Sequence, residues 1–184
     1  MNGLQMNFET DVSVLKASDE EYATVQHLSI SYASALSKGC LMGNNNTQVQ
    51  MPSDRAASDH PFNFKSYFED PLRRAYLIKI HGENAGFVLL NQVVISDQSD
   101  WNMGEFFIHE KFQRQGIGQY VARKIWNLHP GQWEVCVLPT NKPALCFWKK
   151  VIHHYVDGKF QQETKLVDFD PENPERIIFT FRKN

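Results

Sequence analysis

The chain has 184 residues, of which 42% are hydrophobic and 22% are charged, and this size and composition are typical of one globular domain. Its 19 lysine and arginine residues nearly balance 21 aspartate and glutamate residues, which gives a formal net charge of -2. A chain so close to neutrality has no general electrostatic attraction to nucleic acid or to an anionic membrane, so neither is expected as a partner.

The cysteines and the apolar segments indicate where the protein works. The chain has three cysteines without a CxxC spacing, and a set this sparse suits a reducing compartment. The first ten residues, MNGLQMNFET, lack the basic and apolar regions of a signal peptide. The longest apolar run, residues 85–90, is too short to span a bilayer. These features predict a cytoplasmic protein.

The first part of the chain predicts a strand and two helices around a long irregular segment. Residues 1–10 have the composition of a loose tail, and residues 12–16 alternate weakly as a strand. Residues 18–21 form a capping box at the start of an amphipathic helix. Residues 41–60 have no period and many turn formers, which predicts a mobile loop. A short helix follows, with aromatic residues that either pack in the core or line a substrate groove. These residues are Phe62, Phe64, Tyr67 and Phe68.

The remaining part predicts six strands and two helices. The strands cover residues 75–80, 86–95, 101–108, 133–138, 161–167 and 177–181. One helix follows Gly116 and Gly118, and the other begins near Pro143, since proline is tolerated in a first helical turn. The order of elements predicts a mixed α/β (α+β) fold with a mostly antiparallel sheet of six or seven strands and about four flanking helices. It indicates a single domain over residues 1–184.

Two glycines stand at the entrance of the first of these helices, in the run QRQGIGQ at residues 113–119. The first turn of a helix has unpaired N–H donors and a partial positive charge. Without side chains at 116 and 118, a phosphate can approach those donors closely, and Arg114 adds charge at the rim. A plain strand-to-helix turn is the simpler alternative. A dinucleotide-binding loop is disfavoured, because Val121 occupies its third glycine position and seven residues separate the loop glycine from the strand.

The loop and the next helix together resemble a known family. The sequence FFIHEKFQRQGIGQYVARKIW, followed by WEVCVLPTNKPALCFWKKV, is similar to the GNAT superfamily (GCN5-related N-acetyltransferases), which are acyl-CoA-dependent. Residues 113–118 match its Q/R-x-x-G-x-G/A loop, and residues 141–148 resemble its Asn-x-x-Ala-x-x-aliphatic-Tyr helix. The resemblance covers about residues 75–152 and implies a sheet splayed between strands 101–108 and 133–138, with the cofactor in the gap.

The resemblance also implies roles for individual residues. The amides of residues 113–119 would hold the pyrophosphate of coenzyme A, and the backbone around Phe107 and Ile108 would pair with the pantetheine arm. Asn141 would face the cofactor, cap its helix, or do both, and Trp148 would pack against the pantetheine. The implied cofactor-binding residues are Phe107, Ile108, Gln113, Arg114, Gln115, Gly116, Ile117, Gly118, Gln119, Asn141 and Trp148.

Two strand carboxylates are candidates for catalysis. Glu105 lies on the strand that runs into the loop, and Glu134 lies on the neighbouring strand, where an unpartnered carboxylate is costly to bury. A salt-bridged or edge-exposed structural role is the alternative for Glu134. Trp148 replaces the family's tyrosine, so a leaving thiolate would take its proton from Tyr155, Tyr120 or water, or would leave unaided. The pair at residues 153–154, two histidines, lacks further metal-ligand spacing, and no metal is expected.

These features predict an enzyme that transfers an acetyl or other acyl group from acetyl-CoA to a primary amine, by direct attack in a ternary complex. The acceptor would be a small molecule, a peptide or a protein, and a homodimer is compatible with the sequence. The missing tyrosine leaves an alternative: a non-catalytic member of the superfamily that binds coenzyme A or another protein.

Overall fold

The computed structural model describes residues 6–41 and 62–183. Within them, the chain forms seven strands and five α-helices. The helices are α1 (Phe8–Asp11), α2 (Tyr22–Leu41), α3 (Ser66–Glu69), α4 (Ile117–Leu128) and α5 (Lys142–Tyr155). The strands are β1 (Val12–Lys16), β2 (Arg73–Ile80), β3 (Glu83–Asn91), β4 (Trp101–Ile108), β5 (Trp133–Val137), β6 (Phe160–Leu166) and β7 (Glu175–Phe181). The predicted mixed α/β fold class is confirmed.

All seven strands belong to one sheet with the order β1-β2-β3-β4-β5-β7-β6. Every neighbouring pair is antiparallel except β4 and β5, which are parallel. The parallel pair is joined through α4, because a parallel connection must cross over the sheet. The helix that leads out of β4 therefore begins at the same sheet edge where β4 ends.

The two faces of the sheet bury separate hydrophobic clusters. Helices α4 and α5 cover one face, to which β3 contributes Val88 and Leu90. Helices α2 and α3 cover the other face, to which the same strand contributes Phe87 and Leu89. Because side chains alternate along a strand, β3 is buried on both sides and holds the two layers together. We call these two surfaces the α4–α5 face and the α2–α3 face.

The N-terminal segment is more ordered than the sequence suggests. A loose tail is predicted through residue 10, whereas Phe8–Asp11 forms a helical turn whose cap, Asn7, accepts a hydrogen bond from the Glu9 N–H at 3.2 Å. The Phe8 ring stacks on Tyr120 of α4, with ring centroids 5.2 Å apart. Burial against a distant helix orders this turn, and local sequence carries no signal for such a contact. The predicted mobile loop lies outside the described residues, apart from residue 41 at the end of α2.

The strand predicted over residues 86–95 ends four residues early, at Asn91. The Asn91 side-chain oxygen accepts a hydrogen bond from the Val93 N–H at 3.0 Å, which turns the chain away from the sheet. The N–H groups of Ile95 and Ser96 then bond to the carboxylate of Glu134 instead of to a strand. Side-chain acceptors thus replace the ladder that the apolar sequence favours.

Candidate functional site

The site begins where β4 and β5 separate. Their parallel ladder contains two residue pairs, Trp101 with Trp133 and Asn102 with Glu134. Both strands continue beyond this point, β4 through Ile108 and β5 through Val137, so their facing edges are no longer paired with each other. The splay that the resemblance implies is therefore present in the fold, and it leaves main-chain donors and acceptors for an extended ligand.

The loop between β4 and α4 presents a run of backbone donors. In the described part of the chain, none of the six N–H groups of residues 114–119 bonds to a backbone or side-chain acceptor outside the helix ladder. The last three are the first-turn donors of α4, where the helix dipole favours an anion. Arg114 and Gly116 have left-handed φ angles of 60° and 83°. Such alternation makes successive N–H groups converge into an anion-binding nest.

The side chains of the loop support this conformation. Gln113 donates from Nε2 to the carbonyl of Ile108 at 2.7 Å, and Gln115 donates to the carbonyl of Lys111 at 3.2 Å. Ile117 is almost fully buried and fixes the start of α4 in the core. The two exposed glutamine side chains therefore hold the loop in shape, which leaves its N–H groups as candidate donors for a ligand.

Cations and small residues flank the nest. Gln119 and Gly116 line an open cleft of about 680 Å³ along α4, together with Arg123 and Lys124 and the acidic Glu9. On the other side of the helix, a Cβ atom at Gly118 would lie 3.2 Å from the ring of Phe147 in α5. A side chain at residue 118 would therefore compete for space beside the loop, and the exposed Arg114 adds a third cation.

The exposed edge of β4 is formed by different residues than the sequence suggests. The His109 N–H donates to the carbonyl of Ala85 on β3 at 2.8 Å. Hydrogen-bonded pairs recur every second residue in an antiparallel ladder, so Phe107, which is paired with Phe87, also directs its backbone groups toward β3. The backbone groups of Phe106 and Ile108 face the splay. Ile108 keeps the position that the resemblance implies, and Phe106 takes the place of Phe107.

Asn141 and Trp148 both have structural roles in α5. Asn141 is the N-cap, and its Oδ1 accepts a hydrogen bond from the Ala144 N–H at 3.2 Å. Trp148 is 7% exposed and packs edge-on against Phe106, with ring centroids 5.1 Å apart. Phe106 also stacks on Phe147 at 5.9 Å. Aromatic rings from β4 and α5 therefore line the α4–α5 side of the splay.

A bulge in β4 decides where Glu105 lies. Leu89 pairs with Glu105 and Leu90 with Met103, so Gly104 is an extra residue in the strand. Met103 belongs to the cluster on the α4–α5 face, and the bulge moves Glu105 to the opposite face. Without it, strict alternation would bury the carboxylate beneath α4 and α5.

Two tyrosines from the covering helices meet Glu105 on the α2–α3 face. The Tyr32 hydroxyl donates to Glu105 Oε2. Tyr67 lies beside them: its hydroxyl accepts a hydrogen bond from Asn91 Nδ2 at 3.2 Å and lies 2.5 Å from the position of a Cβ atom at Gly104. Burial raises the pKa of Tyr67, and the negative charge of Glu105 raises it further. Of the four predicted aromatic residues, Phe62 and Phe64 are core residues, and Tyr67 reaches the site.

Glu134 has a different environment. Its side chain is fully buried, and its two oxygens accept hydrogen bonds from the N–H groups of Ile95 at 2.8 Å and Ser96 at 3.0 Å. These contacts fasten the β3–β4 connection to β5. The two sequence alternatives, a salt bridge and an exposed edge, are both wrong for this residue: main-chain donors compensate the buried charge.

The sequence also matches a protein-family model over residues 44–153, described as Acetyltransferase (GNAT) family. The chain belongs to this family. No protein of curated function matches it significantly in sequence.

Solved structures of GNAT acetyltransferases share its fold. An acetyltransferase from Thermus thermophilus is 17% identical, with a TM-score of 0.60, covering 93% of this chain and 96% of that chain. RimL, a ribosomal L7/L12 alpha-N-protein acetyltransferase solved with coenzyme A, is 13% identical, with a TM-score of 0.62 and 95% of each chain covered. A chimera of the spermidine N-acetyltransferase SpeG from Vibrio cholerae and hSSAT is 11% identical, with a TM-score of 0.58, covering 95% and 96%. At these identities the likeness concerns the fold alone.

Sequence reasoning missed three residues near this candidate site. Phe106 escaped notice because its exposed backbone edge depends on the β3–β4 register. Tyr32 was visible only as one apolar position in the stripe of α2, and nothing in the sequence links it to a residue 73 positions later. A third residue, Cys136, lies on β5 near both glutamates. Burial raises the pKa of its thiol to about 12, Arg176 opposes that rise, and Glu134 and Glu105 add to it.

No group of three or more His, Cys, Asp or Glu side chains in the described ranges is arranged to hold a metal ion. Among the helices of the same residues, none is long and apolar enough to cross a bilayer.

Proposed function

We propose that this GNAT protein is an N-acetyltransferase that transfers the acetyl group of acetyl-CoA to a primary amine. The observation that carries the proposal is the splay of β4 and β5 directly beside a nest of six backbone donors. A diphosphate bound at residues 114–119 would allow the arm of the same molecule to run along the exposed edge of β4. The cytoplasmic location, with acetyl-CoA as co-substrate and no metal, remains part of this proposal.

The residues present fit the cofactor. Anions bind where a helix N-terminus and a nest coincide, and Arg114, Arg123 and Lys124 add positive charge beside them. The backbone of Phe106 and the N–H of Ile108 would pair with the pantetheine arm as a neighbouring strand would, while the Ile108 carbonyl already accepts a hydrogen bond from Gln113. Phe147 and Trp148 would provide an apolar wall for that arm. Acetyl-CoA supplies an activated acetyl thioester when bound.

Glu105 is the proposed general base. It lies on the α2–α3 face, which is opposite the face of α4 and α5, so acceptor and cofactor would approach the splay from different sides. A primary amine is protonated in water near neutral pH and must lose a proton to become a nucleophile, and a positioned carboxylate accepts that proton directly or through one water molecule. Holding the amine in the site would supply a further part of the rate.

Cys136 is not proposed as a covalent nucleophile. A thiol with a pKa near 12 stays protonated at neutral pH, and the protonated form is a poor nucleophile. The amine would therefore form its C–N bond with the acetyl group itself, in one ternary complex. The Tyr155 hydroxyl donates a hydrogen bond to Asn127 Oδ1 at 2.9 Å, and the Tyr120 ring stacks on Phe8. Neither tyrosine is proposed as an acid, and water would protonate the departing sulfur.

The acceptor is proposed as a small-molecule amine, a peptide or a protein. RimL and the SpeG chimera, which share this fold, are named for a protein acceptor and a small-molecule amine, respectively. The slightly acidic net charge of this chain suits either class of acceptor. Helices α2 and α3 cover the proposed acceptor face, so the segment that joins them in the sequence is the first region to exchange in a test of selectivity.

Binding and turnover test the proposal separately. Acetyl-CoA at about 100 times its Kd should raise the stability by about 2.7 kcal/mol in thermal unfolding, and Gly118→Asp, which places a charge beside the phosphates, should abolish that gain. Amine-dependent release of free thiol should follow with at least one member of a panel of polyamines and peptides. No stabilisation by saturating acetyl-CoA would end the proposal. Stabilisation without turnover on any amine would favour the non-catalytic, coenzyme A-binding or protein-binding alternative.

A further inference from the structure

Several side chains surround Glu105, and one of them, Tyr32, is placed to affect the pH dependence of the site. In the ranges that the structure describes, the groups near the carboxylate include side chains from three other elements. Tyr32 approaches from α2, Tyr67 from α3 and Cys136 from β5. Behind Tyr67 lies Arg73 of β2, whose guanidinium is 5.1 Å from the centre of the Tyr67 ring. Glu134 and Arg176 act on Cys136 from its other side.

The ring of Tyr32 is held by packing. It is 8% exposed and contacts three phenylalanine rings, those of Phe62, Phe87 and Phe107, with centroid separations of 5.3, 5.5 and 5.6 Å. A ring enclosed on three sides cannot turn its hydroxyl away without opening the core. The hydrogen bond to Glu105 Oε2 is therefore imposed by the packing of α2 on the sheet.

Tyr67 differs in this respect. Its hydroxyl takes a hydrogen bond from Asn91 Nδ2, and the Asn91 amide is itself oriented by the Val93 N–H. Arg73 and Asp70, 3.2 Å apart, pair beside its ring. Tyr67 thus belongs to a network that runs along β3 and α3, whereas Tyr32 donates directly to the carboxylate.

We propose that Tyr32 is a positioning residue for Glu105: its hydroxyl, which donates to Oε2, holds the carboxylate in place and stabilises its ionised form. This inference rests on the proposed function. A hydrogen bond donated to a carboxylate favours the charged form and lowers its pKa, so loss of the donor raises that pKa. For a hydrogen bond to a charged group the expected change is a rise of roughly one pKa unit or more.

Tyr32→Phe removes the donor and keeps the ring that packs against the three phenylalanines. The acid limb of the kcat/KM profile should move to higher pH by about one unit, so that kcat/KM falls about tenfold on that limb. The matched control is Tyr155→Phe, which also removes one hydroxyl hydrogen bond from a buried ring, but on the α4–α5 face. It should leave the acid limb where it is.

A titration of the cofactor-free protein gives a readout that does not depend on turnover. The carboxyl carbon of Glu105, labelled with ¹³C and assigned with Glu105→Gln, should titrate at higher pH in Tyr32→Phe than in the unsubstituted protein. A second variant keeps the fold intact: 3-fluorotyrosine at residue 32 retains the hydroxyl and is a stronger donor, so the carboxyl should titrate at lower pH.

The outcomes separate the two proposals. An unmoved acid limb together with an unmoved Glu105 titration would overturn the role of Tyr32 while leaving amine acetylation in place. An equal movement in Tyr155→Phe would also overturn it, because the effect would then follow from a general loss of packing. Absence of amine-dependent thiol release from the unsubstituted protein would instead overturn the proposed function, and the carboxyl titration would still report whether Tyr32 controls Glu105.

Discussion

Glu105 and Glu134 show how two glutamates in adjacent strands acquire different chemistry. Both carboxylate oxygens of Glu134 accept hydrogen bonds from main-chain N–H groups, and the residue is fully buried. Glu105 is half-buried beside the splay and receives a side-chain hydroxyl on one oxygen. Sequence shows only that each is a carboxylate within an apolar strand. Their partners come from segments 39 and 73 positions earlier in the chain, so local pattern cannot separate an anchor from a base.

We expect Glu105→Gln to lower kcat/KM for the amine by about 10²–10⁴-fold, because the amide cannot accept the proton. The gain in stability with acetyl-CoA should remain, since the phosphate nest is on another element. Steady-state kinetics and thermal unfolding measure the two effects on the same sample. Undiminished turnover in Glu105→Gln would remove this residue from the mechanism.

Glu134→Gln is the matched comparison, with the same change on the neighbouring strand. One buried N–H would then face an amide NH₂ group, and we expect a loss of about 2 kcal/mol in the free energy of unfolding. Activity per folded molecule should change much less than in Glu105→Gln. Denaturant unfolding followed by kinetics on the folded fraction tests this, and a kinetic loss as large as that of Glu105→Gln would restore Glu134 as a catalytic candidate.

At the scale of single elements, the β4–α4 loop owes its shape to backbone angles that favour glycine. Gly116 has a φ of 83°, and the Phe8 ring lies 3.1 Å from the position of a Cβ atom there. The motif in the sequence located this loop correctly, because a left-handed residue at a helix entrance has a strong compositional signal. The contact from Phe8, in contrast, depends on the N-terminal turn and has no such signal.

We expect Gly116→Ala to weaken acetyl-CoA binding by distorting the nest. Gly82→Ala provides the matched control, because Gly82 has a nearly equal φ of 81°, nothing within 4 Å of its Cβ position, and a place in the β2–β3 turn. Each substitution should cost about 1–2 kcal/mol from the left-handed angle. Only Gly116→Ala should lose part of the stabilisation by acetyl-CoA in thermal unfolding. An equal loss in both variants would show that the nest does not hold the ligand.

The bulge in β4 is a second element that sequence did not reveal. Strict alternation places Glu105 on the same face as Met103, and the single extra residue at Gly104 reverses this. A substitution there should affect the acceptor side alone: with Gly104→Ala, the added Cβ would press on the Tyr67 hydroxyl and the Asn91 amide. We expect a higher KM for the amine and an unchanged thermal shift with acetyl-CoA. A lost thermal shift would mean that the bulge also shapes the cofactor side.

For the whole molecule, the fold was more predictable than the site. The fold class follows from the order of predicted strands and helices, and the hydrophobic periodicity that predicts them is visible in local sequence. The order of strands in the sheet and the point at which β4 leaves β5 depend on pairings between distant segments. The family resemblance predicted the splay. The residues around it could not be predicted in the same way, because Phe106 depends on the β3–β4 register and Tyr32 on the packing of α2.

His129, at the end of α4, contacts Tyr76 of β2 and Trp101 of β4 and makes the stability of the protein depend on pH. Its Nε2 lies 2.7 Å from the Tyr76 hydroxyl, and its ring lies 4.5 Å from that of Trp101. Burial lowers the pKa of His129, and the nearby positive charge of Arg74 lowers it further. The unfolded chain therefore binds this proton more readily than the folded one. The contribution of His129 is fully present above its unfolded pKa of about 6.5 and is lost as the pH falls through the lower folded value.

We expect the unfolding free energy to decrease as the pH is lowered from about 6.5, with a smaller decrease in His129→Gln. Denaturant titrations between neutral and mildly acidic pH measure the slope. An identical slope in the two proteins would assign the effect to other titrating groups.

The short ladder between β4 and β5 has a consequence for what the protein can select. An arm bound along β4 would be recognised through peptide groups, which are the same whatever thioester the arm carries and which point mutations of side chains leave intact. Discrimination between an acetyl group and a longer acyl chain must then arise from side chains, and the ring of Phe106 on β4 is the candidate, since Phe147 lies beside Gly118 at the phosphate end. Removing that ring with Phe106→Ala should broaden the range of thioesters accepted, because the peptide groups along β4 remain.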